Sequence, residues 1–288
     1  MKKISLPVSV NNLIKSLDKK TDFSPSEIRK ILDSANISAD SLMPWANFDH
    51  DINDGYGRAL IHATEHYEIM VMSWMPRDYS AIHNHGYTEW GAVQVFGKLE
   101  HRCFRLDKEN HLTTLLKEKL EVGEIIVVNQ NLIHQMGNPY DEKALSLHVY
   151  GTTQNPDNVT DNSQLYEIGK GEIQLVNGGV FYDLKNNSIN NRKSGLTSDR
   201  LTEISHYCSL LNHYLKSDQQ GPQYKQAVSY FQDRSFENRL SFEVEMDSQR
   251  ILYLIELKKA RKLLYKLKES CKTIDEIILE INDMEKYS

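Results

Sequence analysis

The sequence is short of cysteine, with three residues in 288, Cys103, Cys208 and Cys271. Such few and scattered cysteines do not form the pattern of a disulfide framework or of a structural zinc site. No apolar run approaches the roughly 18 residues that a membrane-spanning helix requires. Positive charge is not in excess either, because 34 Lys and Arg face 40 Asp and Glu, a net charge of -6, which argues against attraction to nucleic acid or anionic lipid. We therefore predict a cytoplasmic protein without a nucleic-acid or membrane partner.

The first 48 residues have the pattern of two short helices. Leu13, Ile14 and Leu17 share one helical face. A second helix start stands at Ser24-Pro25-Ser26-Glu27, where Ser24 suits the cap, proline suits the first turn and Glu27 can reach back to the cap. We assign residues 1–48 to an N-terminal helical segment.

Between residues 49 and 185 the pattern changes to short apolar or alternating runs separated by turn residues. Turn signals include Asn53-Asp54-Gly55 and Asn177-Gly178-Gly179. The predicted strands are Tyr67–Trp74, Ala92–Phe96, Leu99–Leu106, Glu124–Val128, Leu145–Tyr150 and Val180–Leu184. Many short strands at fairly regular spacing favour an all-β sandwich or barrel.

The pattern changes again after Leu184. Residues 186–196 are polar and rich in turn formers, which predicts a linker, and residues 197–288 return to helical periodicity. We predict a C-terminal helical domain of unknown role, through which the protein could bind a protein partner or self-associate. A basic amphipathic run at 257–268 is read as the solvated outer face of a bundle helix.

A histidine pair in Ile82-His83-Asn84-His85 is the first feature that indicates chemistry. Side chains two residues apart on a strand point to the same face, so His83 and His85 could bind one metal ion together. Taken alone, such a pair is more often a surface feature or a satisfied part of the core. A second segment, from Gly123 through His134 to Asn138, strengthens the metal interpretation.

These two segments resemble the paired motifs of the cupin barrel. The first runs from His83 through Glu89 to Gly97, and the second runs from Gly123 to Asn138. The resemblance implies a double-stranded β-helix over residues 49–185, with N-terminal helices before it and the helical domain after it.

Within the cupins the sequence is similar to the thiol dioxygenases, in particular to bacterial cysteine dioxygenases. Tyr56-Gly57-Arg58 stands before the histidine pair at the family's distance, and Ser146, His148 and Tyr150 match the family's Ser-x-His-x-Tyr strand. The resemblance covers roughly residues 50–185 and not the helical domain.

The resemblance implies a function and a set of site residues. The function is oxidation of the sulfur of a small carboxylate-bearing thiol, with L-cysteine as the leading candidate, to a sulfinic acid by O2. Fe(II) would be the cofactor, and three neutral imidazoles suit it while leaving coordination positions open. The implied residues are His83, His85 and His134 for the metal, Arg58, Tyr56 and Trp90 for the substrate, and Ser146, His148 and Tyr150 for catalysis.

Some points differ from that pattern or leave alternatives open. Mammalian cysteine dioxygenases have a cysteine that is cross-linked to the tyrosine of the Ser-x-His-x-Tyr strand. This sequence has Trp90 at the position of that cysteine, so no such cross-link is expected. Glu89 stands where many cupins have a fourth, carboxylate ligand, which would suit another cupin oxygenase or a decarboxylase. A non-catalytic sensor with a helical partner-binding domain is a further alternative. His101 and Cys103 share one strand face and are read as core or rim.

Overall fold

The computed structural model describes residues 5–51, 54–154, 156–182, 184–215, 222–233, 247–267, 269 and 272–284. The chain divides into two compact units. The first contains residues 1–105, 115–167 and 172–195, and the second contains residues 106–114, 168–171 and 196–288.

The first unit begins with the two predicted helices, α1 (Val8–Leu17) and α2 (Pro25–Ser34). Ser24 caps α2, since its hydroxyl accepts from the Glu27 amide while the Glu27 side chain accepts from the Ser24 amide. A short helix α3 (Ala39–Leu42) and a 3-10 turn (Met43–Trp45), which the sequence did not predict, complete this part.

Twelve strands follow in the part of the chain that the structure describes. They are β1 (Gly57–Ala63), β2 (Tyr67–Trp74), β3 (Trp90–Phe96), β4 (Leu99–Leu106), β5 (His111–Leu120), β6 (Ile125–Val128), β7 (Ile133–Gly137), β8 (Ala144–Gly151), β9 (Ser163–Glu167), β10 (Glu172–Val176), β11 (Ile189–Ser194) and β12 (Thr197–Ser198). Short 3-10 turns occupy Ile168–Lys170 and Asn186–Ser188.

Five of the six predicted strands are confirmed, in β2, β3, β4, β6 and β8. The sixth, Val180–Leu184, is wrong for the residues that the structure describes there, while position 183 lies outside them. The backbone of Val180 bonds to two separate residues and not to one paired strand. Its amide donates to the Tyr56 hydroxyl, and its carbonyl accepts from the Ala81 amide. An apolar run of residues can therefore be buried without pairing with a neighbouring strand.

A five-stranded antiparallel sheet, in the order β1-β2-β8-β3-β6, separates the helices from the site. Its outer face packs on α1 and α2 in one buried cluster that includes Leu13, Ile28, Ile69, Leu147 and Val149. Alternation along each strand then directs the intervening residues of β2 and β8 to the opposite face. The helices thus determine which face of the sheet is available for chemistry.

Further sheets complete the strand-rich part. β5, β4 and β7 are adjacent in one sheet, and β11, β10 and β9 form another. The predicted linker, 186–196, is not free of regular structure, because β11 pairs antiparallel with β10. Its exposed polar side chains hide the strand from sequence reading, since backbone pairing needs no apolar pattern. The predicted all-β barrel of the double-stranded β-helix type, flanked by helices at both ends, is confirmed.

The second unit is mainly helical, as predicted. It contains α4 (Arg200–Tyr214), α5 (Pro222–Gln232), α6 (Asp247–Lys266) and α7 (Lys272–Met284). Asp199 caps α4 by accepting from the Thr202 amide at 2.9 Å. In this unit β12 pairs in parallel with the start of β5. Among the described helices of the chain, none is both long and apolar enough to cross a membrane.

Candidate active site

Two of the predicted metal ligands are fixed to each other through the backbone. His83 and His134 form an antiparallel bridge in which each amide donates to the other residue's carbonyl, both at 2.9 Å. Residues that face each other in this way carry their side chains on the same side of the sheet. Two histidines 51 positions apart in sequence are thereby placed next to each other.

The third histidine completes a compact group. One ring nitrogen from each of His83, His85 and His134 lies within 4.8 Å of the others. The ring centroids are 4.7 Å apart for His83 and His134, 4.7 Å for His85 and His134, and 5.1 Å for His83 and His85. His83 and His85 lie on an extended segment and not on a regular strand, and His83 forms isolated bridges to both His134 and Leu165, yet the two histidines converge as the alternation rule predicted.

The ring nitrogens of this group have the partners expected of metal ligands. Nδ1 of His83 faces the Ala81 carbonyl at 2.8 Å, so Nδ1 carries the proton and Nε2 keeps its lone pair. Neither ring nitrogen of the buried His85 makes a hydrogen bond of full geometry with a described residue, although the Leu132 backbone lies near enough to favour a proton on the ring. An unpartnered buried polar atom is costly unless a ligand satisfies it. The three residues therefore fit a divalent metal ion.

Burial keeps these imidazoles neutral. It lowers the pKa of His83 to about 4, partly countered by the Ala81 carbonyl. Burial, followed by the neighbouring histidines, places the pKa values of His85 and His134 well below the usual value. A neutral imidazole is the form that binds metal. The group is therefore ready for metal at neutral pH without first losing protons.

A row of buried polar side chains approaches the histidines from β2 and β8. The Trp74 indole donates from Nε1 to the Ser146 hydroxyl at 2.8 Å. Ser146 Oγ lies 2.7 Å from Nε2 of His148, and Nδ1 of His148 lies 2.6 Å from the Tyr150 hydroxyl. The Tyr150 ring reaches the metal group, with its centroid 5.4 Å from that of His85.

The donors and acceptors of this row are consistent with a single direction. The indole of Trp74 only donates, so Ser146 accepts from it, and the one hydroxyl hydrogen of Ser146 is available to Nε2 of His148. His148 is neutral because burial lowers its pKa to about 3, and its remaining proton on Nδ1 is donated to Tyr150. Tyr150, whose pKa is raised by burial, then keeps its own hydrogen free to donate into the cavity.

Arg58 and Tyr56 line the same cavity as His83, His85 and Tyr150. This cavity is small, with a volume of about 30 Å³. Arg58 makes no hydrogen bond or ion pair with any residue that the structure describes. Its guanidinium has no direct polar partner but lies near enough to the buried Glu68 to offset part of the rise that burial gives the pKa of that carboxyl, and its planar fork matches a carboxylate ligand.

The structure places Trp90 elsewhere, which corrects its predicted role in substrate binding. Trp90 belongs to the helix-facing cluster, packs edge-on against Phe23 with centroids 4.7 Å apart, and donates to the Thr21 carbonyl at 2.8 Å. The cross-strand partner of Tyr150 is Gly91. An added Cβ at Gly91 would lie 3.2 Å from the Tyr150 ring, so glycine is the residue that faces the tyrosine.

Glu89 does not join the metal group. Its carboxylate accepts from Thr152, Thr153 and Gln154, including the Thr153 hydroxyl at 2.6 Å. Those bonds, chiefly from Thr153, hold the pKa of Glu89 at about 2. Because four donors already bind this carboxylate, Glu89 does not have the free oxygen atoms of a fourth metal ligand.

Sequence reasoning missed several polar residues beside the site. Nε2 of His101 lies 3.0 Å from Nδ1 of His134, and Nδ1 of His101 lies 2.9 Å from a Glu118 oxygen. Glu68 is buried and pairs across the sheet with Tyr150. Trp74 was read only as the end of an apolar strand. Alternation along β2 places Glu68 and Trp74 on one face, but nothing in the sequence shows that this face meets Ser146, and nothing links Glu118 to His134.

The fold and the site together define a metal-binding cupin-type barrel. A family model described as cysteine dioxygenase type I matches residues 1–157, more than half of the chain. The chain belongs to the cysteine dioxygenase type I family, an oxygenase family whose members use a metal and act on small molecules with O2.

Solved structures also resemble the barrel at low identity. An uncharacterized conserved protein with a double-stranded β-helix domain from Klebsiella pneumoniae is 16% identical, with 42% of this chain and 93% of that chain covered and a TM-score of 0.32. An oxalate oxidase is 18% identical, with 38% of this chain and 57% of that chain covered and a TM-score of 0.32.

Proposed function

We propose that this protein is an iron-dependent thiol dioxygenase that oxidises the sulfur of a small carboxylate-bearing thiol, with L-cysteine as the leading substrate. Both oxygen atoms of O2 are added to the sulfur, so the thiol becomes a sulfinic acid. The sulfur loses the four electrons that O2 gains, and no external reductant is required. The observation that carries the proposal is the three-histidine group, of which His83 and His85 line a cavity that also contains Arg58.

Each residue has a proposed role. His83, His85 and His134 hold Fe(II), which supplies the redox centre for thiol and O2 when bound. Arg58 binds the substrate carboxylate, with Tyr56 packed beside it on the cavity wall. All-nitrogen ligation without a carboxylate leaves the site with a higher positive charge, which favours an anionic thiolate.

Tyr150 is proposed as the proton donor of the cavity. Its hydroxyl accepts from His148 and directs its own hydrogen toward the substrate, because the row from Trp74 through Ser146 and His148 runs in that direction. The role of this row is to hold the hydrogen of Tyr150 in one orientation. Preorganised donors of this kind require little rearrangement during the reaction.

The ligand set proposed here excludes Glu89, whose carboxylate is engaged by the 152–154 segment. No observation in the described residues therefore favours the four-ligand alternative. Neither Cys103 nor Cys208 forms a disulfide among the described residues, which supports the reducing cytoplasm as the proposed location.

We further propose that residues 49–185, after the N-terminal segment 1–48, carry the chemistry. In that proposal 186–196 connects them to 197–288, which serve a protein partner or self-association. Light scattering of the full chain coupled to size exclusion would measure self-association directly. A monomer at micromolar concentration would leave a separate protein partner as the proposed role.

The direct test supplies anaerobically iron-loaded protein with L-cysteine, admits O2, and follows oxygen uptake together with the sulfinate by mass spectrometry. We expect one O2 consumed per sulfinate formed. Metal-free protein and zinc-loaded protein serve as controls, since neither should consume O2. Absence of sulfinate with cysteine and with other small thiol carboxylates, from protein shown to bind iron, would remove the proposed function.

A further inference from the structure

Three polar side chains, hydrogen-bonded in sequence, form a chain that runs from the metal-binding histidines across the sheet that contains β7, β4 and β5. His134 lies on β7, His101 lies on the adjacent β4, and Glu118 lies on β5, next in the same sheet. His134 and His101 are 1% and 3% exposed, whereas the Glu118 side chain is 40% exposed. The rings of His101 and His134 meet edge to face, with centroids 5.1 Å apart and an interplanar angle of 78°.

The donors and acceptors of this chain are set by its outer end. The Glu118 carboxylate only accepts, so Nδ1 of His101, 2.9 Å away, donates to it. A neutral His101 then has its lone pair on Nε2, and the nitrogen facing it, Nδ1 of His134 at 3.0 Å, must donate. His134 therefore carries its proton on Nδ1, which leaves the lone pair of Nε2 for the metal.

The proton on Nδ1 of His83, the other histidine of the bridged pair, is held in a different way. His83 is held by a backbone carbonyl, that of Ala81, which no side-chain substitution can remove. His134 depends on side chains instead. Its ring position therefore depends on residues that can be replaced one at a time.

We propose that His101 and Glu118 are positioning residues that hold His134 in the tautomer and ring orientation needed to bind the metal. The inference rests on the metal site of the proposed function, although not on the identity of the substrate. Outer partners of metal-ligating histidines commonly affect metal affinity about 10–100-fold.

The test compares His101→Phe with His101→Gln. Phenylalanine keeps a flat ring but leaves the Nδ1 hydrogen of His134 without an acceptor, whereas the glutamine side-chain oxygen can accept at the position of Nε2. Fe(II) affinity is measured anaerobically by competition with a chromogenic chelator, and the ligand set is followed by visible absorption of Co(II)-loaded protein. We expect about 10–100-fold weaker binding with an altered Co(II) spectrum for His101→Phe, and substantial recovery of both for His101→Gln.

Two further variants keep the result interpretable. Glu118→Ala, at a half-exposed position, tests the chain without disturbing the buried core, and we expect a several-fold loss of affinity. Cys103→Ala is the matched control, because its thiol lies 3.7 Å from Nε2 of His101 but is only a weak donor. Its affinity should match that of the unmodified protein within twofold.

The inference is overturned if folded His101→Phe binds Fe(II) as tightly as the unmodified protein, or if His101→Gln is as impaired as His101→Phe. The inference is also overturned if His101→Phe does not fold and Glu118→Ala leaves the Fe(II) affinity unchanged. Protein that shows the expected affinities but oxidises no thiol would contradict the proposed function alone. Thiol oxidation with unchanged affinities in all variants would contradict this inference alone.

Discussion

The indole of Trp74 donates to the hydroxyl of Ser146 at 2.8 Å, and both side chains are buried. This bond is the first in the row of hydrogen bonds that ends at Tyr150. A tryptophan on β2 thus influences a phenol on β8 through two intermediate side chains.

Removal of that donor should weaken catalysis more than binding. In Trp74→Phe the Ser146 hydroxyl can rotate, so Tyr150 is no longer held as a donor to the cavity. A hydrogen bond worth about 0.5–1.5 kcal/mol corresponds to roughly a two- to tenfold fall in kcat, with KM for the thiol nearly unchanged. Steady-state oxygen uptake measures both. Trp45→Phe, a partly buried tryptophan on the helix side, is the matched control, and an equal kcat loss there would contradict the expectation.

Loss of one metal ligand should abolish metal binding. His85→Ala removes the imidazole whose ring nitrogens make no hydrogen bond of full geometry with a described residue, so Fe(II) at about 100 times its dissociation constant should no longer add its roughly 2.7 kcal/mol of stabilisation. The Tm with and without Fe(II) measures this. Glu89→Gln is the control and should keep the full Tm shift. A Tm shift lost in Glu89→Gln would instead indicate that its carboxylate is a ligand.

Arg58 should determine the preference for carboxylate-bearing thiols. Arg58→Gln removes the guanidinium, and a charge-assisted bond of about 1.5–3 kcal/mol predicts a kcat/KM for cysteine roughly 10–150-fold lower. Cysteamine, which lacks the carboxylate, should lose little. The ratio of kcat/KM for the two thiols is therefore the measurement. Arg77→Gln, at the partly exposed Arg77, should leave that ratio unchanged, and an unchanged ratio in Arg58→Gln would refute the assignment.

Glu68 should hold the segment that closes one side of the cavity. Its buried carboxylate accepts from the Val159 amide at 3.2 Å and from the Thr160 hydroxyl at 3.3 Å, and Thr160 lines the cavity. Glu68→Ala leaves both donors unsatisfied, so we expect KM for cysteine to rise several-fold and Tm to fall. The control is Glu65→Ala, with a side chain 68% exposed. A KM equal to that of the control would contradict this role.

The metal-free protein should lose stability in mild acid. The pKa of His83 is lowered to about 4 and that of His148 to about 3, both mainly by burial, against about 6.5 in the unfolded chain. Between pH 6.5 and 4 the unfolded state binds more protons, so the free energy of unfolding is greatest above pH 6.5 and falls as the pH decreases. Each such histidine contributes about 1.4 kcal/mol per pH unit.

Denaturant unfolding at several pH values measures this slope. In His148→Gln the slope should be shallower, since one titrating group is gone. A free energy of unfolding that stays level from pH 6.5 to 4 would contradict the neutral, buried state of these imidazoles.

The sequence by itself determined the cap of α2, five of the twelve described strands and the face shared by Ser146, His148 and Tyr150. Ser24 and Glu27 form their capping box from residues three apart, and the alternation of Ser146, His148 and Tyr150 places them on one face. Such features depend on near neighbours in the chain, so local rules of helix and strand geometry suffice. His134 was found through the spacing of a family motif.

Only the tertiary structure decided which residue stands opposite which. The register of β3 against β8 places Gly91 and not Trp90 beside Tyr150 and turns Trp90 toward the helices. The order of β5, β4 and β7 brings Glu118 within reach of His134 through His101. A period of two fixes faces only within one strand, whereas register and strand order arise from pairing between distant segments, and for that reason the side chains that orient the metal ligands could not be read from the sequence.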